Sequence, residues 1–143
     1  MIAVDTNLLL YAHRAESPMH ADASANLRQL AEGRNRWGLP WPCVHEFLAI
    51  ATHPRIFDPP TPPEDARDQV DAWLESPSVT MLGEPSAHWK HLSQLVVDGG
   101  ISGPRVHDAR IAAICIGHGV DQLWSLDRDF SRFPNLRVVN PLA

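Results

Sequence analysis

The stretch at 106–116, Val-His-Asp-Ala-Arg-Ile-Ala-Ala-Ile-Cys-Ile, constrains the fold more than any other part of the chain. A proline precedes it and two glycines follow it, which are start and stop signals of a helix running from about 104 to 117–119. Asp108, Ile111 and Cys115 fall on one stripe of this helix, the stripe that faces the core. A carboxylate there is costly unless another group satisfies it. The stretch therefore predicts a core helix whose first-turn acid needs a partner.

Short apolar segments alternate with helical patterns along the rest of the chain. Strands separated by helices imply a parallel sheet covered on both faces. We therefore expect an α/β fold, a three-layer α/β/α sandwich with a central, mostly parallel sheet, in a single domain spanning 1–143. The predicted strands are 2–4, 37–39, 79–82, 122–125 and 137–139, and the predicted helices are 7–13, 19–32, 41–52, 64–75, 85–98 and 104–117.

Two of these helices carry more detailed expectations. Thr61-Pro62-Pro63-Glu64 has the pattern of a capping box for the helix at 64–75. The acids of that helix recur on its polar face, which predicts a plain solvated surface. In the helix at 85–98, the spacing places Trp89, Leu92, Leu95 and Val96 on the inward side.

Composition limits the kind of protein this can be. The 143 residues suit one domain with a real core, since 44% of them are hydrophobic. No apolar run approaches the ~20 residues that span a bilayer, and the first residues lack the pattern of a signal peptide. We therefore expect a cytoplasmic protein without a membrane partner. Cys43 and Cys115 lie far apart, which predicts buried thiols and neither a disulfide nor a zinc site.

The charge of the chain bears on nucleic-acid binding. A net charge of −5 argues against a broad nucleic-acid surface but allows a local one. Lys90 is the only lysine, and the other eleven basic residues are arginines. Arginine makes bidentate contacts with phosphate, so arginines near the candidate acids favour local binding of a polyanion. Those arginines are Arg14, Arg105, Arg110, Arg128 and Arg132.

Three further acids pose the same problem as Asp108. Asp5 and Asp127 each come at the end of a predicted strand, and ligands gather at the carboxyl ends of parallel strands. Glu46 shares a helical stripe with Cys43, Ala49 and Ile50, which directs it inward. Two carboxylates ~4 Å apart repel by ~4 kcal/mol at an effective dielectric of about 20.

Such a cluster either takes up protons or binds a cation, and hard oxygen ligands favour Mg²⁺ or Mn²⁺. One or two ions of this type, bound through carboxylates and water, support hydrolysis of a phosphodiester. The joint placement of four acids therefore predicts one metal site.

Each acid also has a simpler interpretation. Asp5 can cap the helix that follows it, and Asp108 can act only as a partner of the helix dipole. Glu46 is exposed if the phase of its helix differs. Asp127 competes with Asp129, which lies two residues later and offers the same ligand.

The motifs around these acids resemble a known family over essentially the whole chain. They are Val4-Asp5-Thr6-Asn7, His45-Glu46-Phe47-Leu48, His107-Asp108-Ala109, and Ser125-Leu126-Asp127-Arg128-Asp129-Phe130. In order and spacing they resemble a PIN-domain ribonuclease, and most of all a VapC-type toxin of a toxin–antitoxin pair. The resemblance implies that Asp5, Glu46, Asp108 and Asp127 are the catalytic, metal-binding acids. It also implies supporting polar roles for Thr6, Asn7 and Ser125, the last standing where threonine is commoner.

By the same resemblance we expect a metal-dependent endoribonuclease that cleaves structured RNA. The expected partners are RNA, a second copy of the chain in a homodimer, and a cognate antitoxin protein. Rival interpretations are a PIN-fold nuclease of RNA processing, a PIN fold that only binds, a phosphatase, and a non-enzymatic receiver-like domain. A phosphatase would need a second acid two residues after Asp5, where Asn7 stands, and a receiver would need a lysine after a late strand.

Overall fold

The computed structural model describes residues 1–143, and its centre is a five-stranded sheet in the order β3-β2-β1-β4-β5. All four pairings between neighbouring strands are parallel, as the sequence predicts. The first strand of the chain is therefore the central one, flanked by a strand from each half. The strands are β1 Ile2–Val4, β2 Trp37–Pro40, β3 Val79–Leu82, β4 Gln122–Trp124 and β5 Val138–Val139.

Six α-helices connect and cover the strands, which confirms the predicted α/β architecture. Their ends differ from the predicted ones by a few residues. Two short 3₁₀ turns, at Gly103–Arg105 and Arg128–Arg132, precede α6 and follow β4. The helices are α1 Thr6–His13, α2 His20–Glu32, α3 Trp41–Ala51, α4 Pro63–Leu74, α5 His88–Gly99 and α6 Val106–Gly117.

Helix α6 contributes more buried residues to the core than any other helix. Ala109 and every residue from 111 to 115 are buried, so this helix has almost no polar face over those positions. The alanines at 109, 112 and 113 are small, which lets the helix backbone approach its neighbours closely. It packs against α5 and also contacts β2. The sequence prediction of a core helix in this stretch is confirmed.

Helix α4 begins differently from the prediction. Pro62 occupies the N-cap position and Pro63 is the first helical residue, so the capping-box prediction is wrong. Proline lacks an N–H, and its fixed φ suits the start of a helix without a side-chain cap. The Thr61 hydroxyl instead accepts a hydrogen bond from Arg14 Nη1 at 3.0 Å and lies 3.1 Å from His13 Nε2. Thr61 therefore joins the α3–α4 loop to the end of α1.

The sequence also predicts which side chains of α4 and α5 are exposed and which are buried. On α4 the acids Glu64, Asp68, Asp71 and Glu75 are all exposed, as predicted. On α5, Leu95 is buried and Leu92 and Val96 pack against the core, but Trp89 is 72% exposed. The prediction of an inward Trp89 is wrong because the inward face of α5 is centred on Leu95, and Trp89, six residues earlier, lies about 120° around the helix from it. No helix of the fold has the length and apolar character needed to cross a membrane.

Candidate active site

Asp5 and Ser125 form the buried floor of the candidate site. They follow β1 and β4, which pair in parallel, so both residues leave the sheet at the same edge. Ser125 Oγ donates a hydrogen bond to Asp5 Oδ2 at 2.7 Å, and both residues are buried. Asp5 occupies the N-cap position of α1 but its side chain makes no capping hydrogen bond. Its two oxygens are directed instead toward Ser125 and Cys43.

Burial changes the acidity of Asp5. Loss of solvent raises the pKa of this carboxyl to about 6, and the charges of Glu46 and Asp127 add to the rise, while the hydrogen bond from Ser125 opposes it. The Cys43 thiol donates to Asp5 Oδ1 at 3.7 Å. Burial also raises the pKa of Cys43 well above its ordinary value, so this sulfur stays protonated and remains a donor. The two oxygens of Asp5 thus each have a neutral donor.

Glu46 lies beside this floor, on α3. Thr6 Oγ1 donates a hydrogen bond to Glu46 Oε2 at 2.8 Å, and Thr6 itself is buried at the start of α1. Glu46 is half-buried, whereas the predicted stripe partner Ala49 is exposed. The buried face of α3 is Cys43, Val44, Phe47 and Ala51, so the predicted stripe was rotated and Glu46 stands at the margin of the core.

Asp108, Asp127 and Asp129 form the open side of the site. One oxygen of each lies within 4.8 Å of the others, and the first two residues are half-buried while Asp129 is exposed. Asp127 Oδ1 accepts a hydrogen bond from the Asp129 N–H at 2.8 Å, and the Asp127 N–H donates to Ser125 Oγ at 3.0 Å. Ser125 therefore connects the floor to the open side.

The charges of these acids act on one another. Burial raises the pKa of Asp108, and the charges of Asp127, Glu46 and Asp129 raise it further, whereas Arg105 lowers it. The charges of Asp127 and Glu46 raise the pKa of both Asp5 and Asp108. The acids on the floor and those on the open side therefore influence one another's ionisation. Arg105 Nη2 lies 3.7 Å from Asp129 Oδ1, which places one cation at the rim.

The structure also shows what the sequence analysis missed. Cys43 was expected to be an ordinary buried thiol, yet it contacts Asp5, and its place one helical turn before Glu46 is the signal that could have indicated this. Asn7, expected in a supporting role, is half-buried in the first turn of α1 and makes no side-chain hydrogen bond. His45 and His107, which precede two of the acids, are both exposed.

The donor atoms suit a divalent cation of the hard type. They are carboxylate oxygens at a partly open site, without a sulfur or imidazole among the three that lie closest together. Repulsion among them falls when a cation binds. The cluster of Asp108, Asp127 and Asp129 therefore fits a hard divalent cation.

Comparison with known proteins decides the family. The family model of the PIN domain matches residues 2–136. This chain belongs to the PIN-domain family. Within it the chain is similar to Ribonuclease VapC43 of Mycobacterium tuberculosis, with 39% identity over 99% of this chain and 96% of that protein. It is also similar to Ribonuclease VapC37 of the same organism, with 33% identity over 100% of this chain and 99% of that protein.

Solved structures of PIN-domain toxins share the fold. A structure of VapBC2 from Rickettsia felis bound to a promoter DNA fragment superposes with a TM-score of 0.70 at 20% identity, covering 97% of this chain and 98% of that one. VapC20 of Mycobacterium tuberculosis, described as a sarcin–ricin loop cleaving toxin, gives a TM-score of 0.67 at 17% identity, covering 92% and 93%. The predicted resemblance to VapC-type PIN proteins is therefore confirmed.

Proposed function

We propose that this PIN-domain protein is an endoribonuclease that depends on Mg²⁺ or Mn²⁺ and acts as the toxin of a toxin–antitoxin pair. The observation that supports it best is the acidic cluster, in which one oxygen each of Asp108, Asp127 and Asp129 lie within 4.8 Å of one another. The Ser125 hydroxyl connects this cluster to the buried Asp5, and the charge of Glu46 raises the pKa of both Asp5 and Asp108. The similarity to proteins named VapC ribonucleases supports the reaction type. We further propose that residues 1–143 act as a single domain.

The proposed roles follow from the contacts of each side chain. In this proposal Asp108 and Asp127, on the open side, hold the cation directly. Asp5 on the floor and Glu46 beside it complete the set of proposed ligands. When bound, the cation lowers the pKa of a water molecule and stabilises the oxygen that leaves the phosphodiester. Ser125 and Thr6 orient two of the acids by donating hydrogen bonds to them.

Asp127 and Asp129 are the two candidates for the fourth acid of the proposed cation site. Asp127 is half-buried, and its backbone is fixed by Ser125. Asp129 is exposed and lies near Arg105, which competes for its charge. We assign Asp127 to the cation and give Asp129 a secondary role, as an acid that Arg105 partly neutralises.

The partners are proposed from the relatives. A solved neighbour is a VapBC complex, which supports a cognate antitoxin protein as the partner of this chain. We further propose that the substrate is structured RNA in the cytoplasm and that the protein is a homodimer. A short open reading frame directly upstream of the gene would favour the toxin role over a PIN-fold nuclease of RNA processing.

The experiment that tests this function is a cleavage assay with purified protein and total cellular RNA. We expect cleavage with Mg²⁺ or Mn²⁺, none with EDTA, and a loss of about 100-fold or more in each of the variants Asp5→Asn, Glu46→Gln, Asp108→Asn and Asp127→Asn. The exposed acid Asp71 on α4 supplies a matched control, and Asp71→Asn should cleave at the wild-type rate. Wild-type rates in any one of the four variants would remove that acid from the site, and absence of cleavage with every metal would refute the enzyme.

A further inference from the structure

Two exposed aromatic side chains on α3, the helix that carries Glu46, have no part in the function proposed so far. Trp41 is 39% exposed at the start of α3, and the exposed His45 ring stacks on it with centroids 6.2 Å apart and planes 29° apart. Two other tryptophans, both in strands, are less available to a ligand. Trp37 is fully buried, and Trp124 is half-buried and donates a hydrogen bond from Nε1 to Gln122 Oε1. Of these three tryptophans, only Trp41 is exposed to solvent.

The position of Trp41 ties it to the acidic site. It directly follows β2, and β2 pairs in parallel with β1, so both strands end at the same edge of the sheet. Neighbouring strands lie about 4.8 Å apart, which places the start of α3 close to Asp5. Along α3 itself, Trp41 precedes Glu46 by about 7.5 Å of helix axis and lies about 140° around the helix from it. Cys43, two residues after Trp41, contacts Asp5 Oδ1 at 3.7 Å, which ties the start of α3 to the floor of the site.

The chemistry of an exposed, supported indole at this distance favours a nucleobase. Every base has a flat π-face that stacks on an aromatic ring, and this stacking tolerates any sequence. Gly83 lies next to the indole, and a Cβ added to Gly83 would be 3.9 Å from Trp41 Cδ1, so a larger side chain at this position would cover part of the ring. His45 covers part of the indole, which limits the rotation of the ring and reduces the entropy lost on stacking.

We propose that Trp41, supported by His45, binds a base of the RNA strand next to the phosphate that lies at the acids. The proposal rests on the function proposed above and assigns a binding role that the four acids do not have. A strand held by its phosphate alone can slide by one nucleotide, whereas a base stacked on Trp41 fixes its register. The aromatic pair is thus a positioning site for a flanking nucleotide of single-stranded or looped RNA.

Binding of RNA without cleavage tests the proposal directly. Short homopolymeric RNA oligonucleotides are titrated against the protein with Ca²⁺ in place of Mg²⁺, and binding is measured by fluorescence anisotropy. We expect Trp41→Leu to weaken binding by about 10-fold or more, while Trp41→Phe keeps most of the affinity. Trp89→Leu is the matched control, because it removes an exposed indole from α5, and it should bind RNA as the wild type does. Equal binding by Trp41→Leu and Trp89→Leu would overturn the proposal.

A second variant covers the indole without removing it. Gly83→Leu adds a side chain at van der Waals distance from Trp41, and it should also weaken RNA binding while the fold keeps its thermal stability. If Gly83→Leu binds RNA as well as the wild type, covering the part of the indole next to position 83 does not affect the base, and the proposal fails.

The flanking position itself can be found by a double-mutant cycle. Once the cleavage site is mapped, an abasic nucleotide is placed at each flanking position and binding is compared in the wild type and in Trp41→Leu. We expect one position at which the abasic change weakens the wild type but no longer affects the variant. Additive effects at every position would overturn the proposal.

The same variants separate a role in RNA binding from a role in protein contacts. If Trp41→Leu changes the oligomeric state by light scattering, or antitoxin binding, while RNA affinity stays at the wild-type level, the indole belongs to a protein interface and the proposal is wrong. A wild-type protein that binds homopolymers through Trp41 but cleaves no RNA would refute the proposed nuclease and retain the base-binding site. The two failures are therefore distinguishable.

Discussion

Ser125 Oγ donates a hydrogen bond to Asp5 Oδ2 at 2.7 Å and accepts one from the Asp127 N–H at 3.0 Å. This hydroxyl connects two acids of the candidate site that lie on different strand ends. The hydrogen bond to Asp5 opposes the rise in its pKa that burial causes. Ser125 is therefore a determinant of both the charge and the orientation of the site.

Removing that hydroxyl should shift the pH dependence of the site. In Ser125→Ala the pKa of Asp5 rises above about 6, because one of the interactions that lowers it is lost. Since the cation needs ionised Asp5, the acid limb of the Mg²⁺-binding curve should move to higher pH, and cleavage at neutral pH should fall by about 10-fold. Mg²⁺ titration by calorimetry across a pH series measures the shift. Ser125→Thr keeps the hydroxyl, so its Mg²⁺-binding curve should keep the wild-type pH dependence. If the acid limb of the threonine variant moves as far as that of Ser125→Ala, this account is wrong.

The buried charge of Asp5 should also cost stability when no metal is bound. The pKa of Asp5 is about 6 in the folded protein, against an ordinary value of 3.8 that applies to the unfolded chain. Between pH 3.8 and about 6 the folded protein therefore binds more protons than the unfolded chain. The contribution of Asp5 to the free energy of unfolding is therefore largest below about pH 4 and is lost as the pH rises through about 6. The difference of about two pKa units corresponds to an upper value of about 3 kcal/mol.

Asp5→Asn tests this cost. The amide stays neutral and can still accept from Ser125, so the variant should raise the free energy of unfolding in EDTA at about pH 7.5 by about 1–3 kcal/mol, while Mg²⁺ no longer adds stability. Urea denaturation at two pH values measures both effects. A variant less stable than the wild type at high pH in EDTA would contradict the assigned direction.

Thr6 should matter through Glu46. Thr6→Val keeps the shape of a buried side chain but removes the donor that holds Glu46 Oε2 at 2.8 Å. We expect cleavage to fall by about 10- to 100-fold and Mg²⁺ affinity to weaken, with little change in thermal stability, because partners that orient metal ligands have effects of this size. Thr6→Ser restores the hydroxyl and should recover most of the activity. If the valine variant cleaves normally, Glu46 does not need this hydrogen bond.

Arg105 and Arg110 form a matched pair for testing phosphate contacts. Both side chains are 39% exposed, but Arg110 Nε pairs with Glu84 at 2.7 Å, whereas Arg105 lies 3.7 Å from Asp129 at the rim of the acids. We expect Arg105→Gln to weaken RNA binding and to reduce the salt slope of log K by about one, and Arg110→Gln to change neither. Binding at several salt concentrations gives the slopes. Identical slopes for the two variants would show that Arg105 only balances the acids.

Much of the fold was predictable because its signals are local. The apolar segment before Asp5 and the helix around Asp108 each carry a periodicity that belongs to one element, and all five strands were found. The errors arose where a neighbouring element decides the outcome. Thr61 has the composition of a cap, but the side chains of His13 and Arg14 at the end of α1 occupy its hydroxyl.

In the candidate site, too, the features that depend on local sequence were predictable, whereas those that depend on packing between elements were not. Spacing placed Asp5 and Asp127 at strand ends, and the structure puts them there. The contact between Cys43 and Asp5, and the nearness of Arg105 to Asp129, depend on how α3 and α6 sit on the sheet, and no pattern within either helix contains that information. Trp89 shows the converse, since its spacing to Leu92 suggests a core position, but the inward face of α5 is centred on Leu95 and leaves the indole exposed.

The parallel pairing of β1 with β4 has a consequence for synthesis of the protein. Asp5 emerges from the ribosome early, but its hydroxyl donor is 120 positions further along. Until that late strand docks beside the first, the acids remain scattered along an unfinished polypeptide. A nascent chain therefore lacks the assembled pocket, and the translation machinery that produces it is not exposed to that pocket before the last part of the chain has been made.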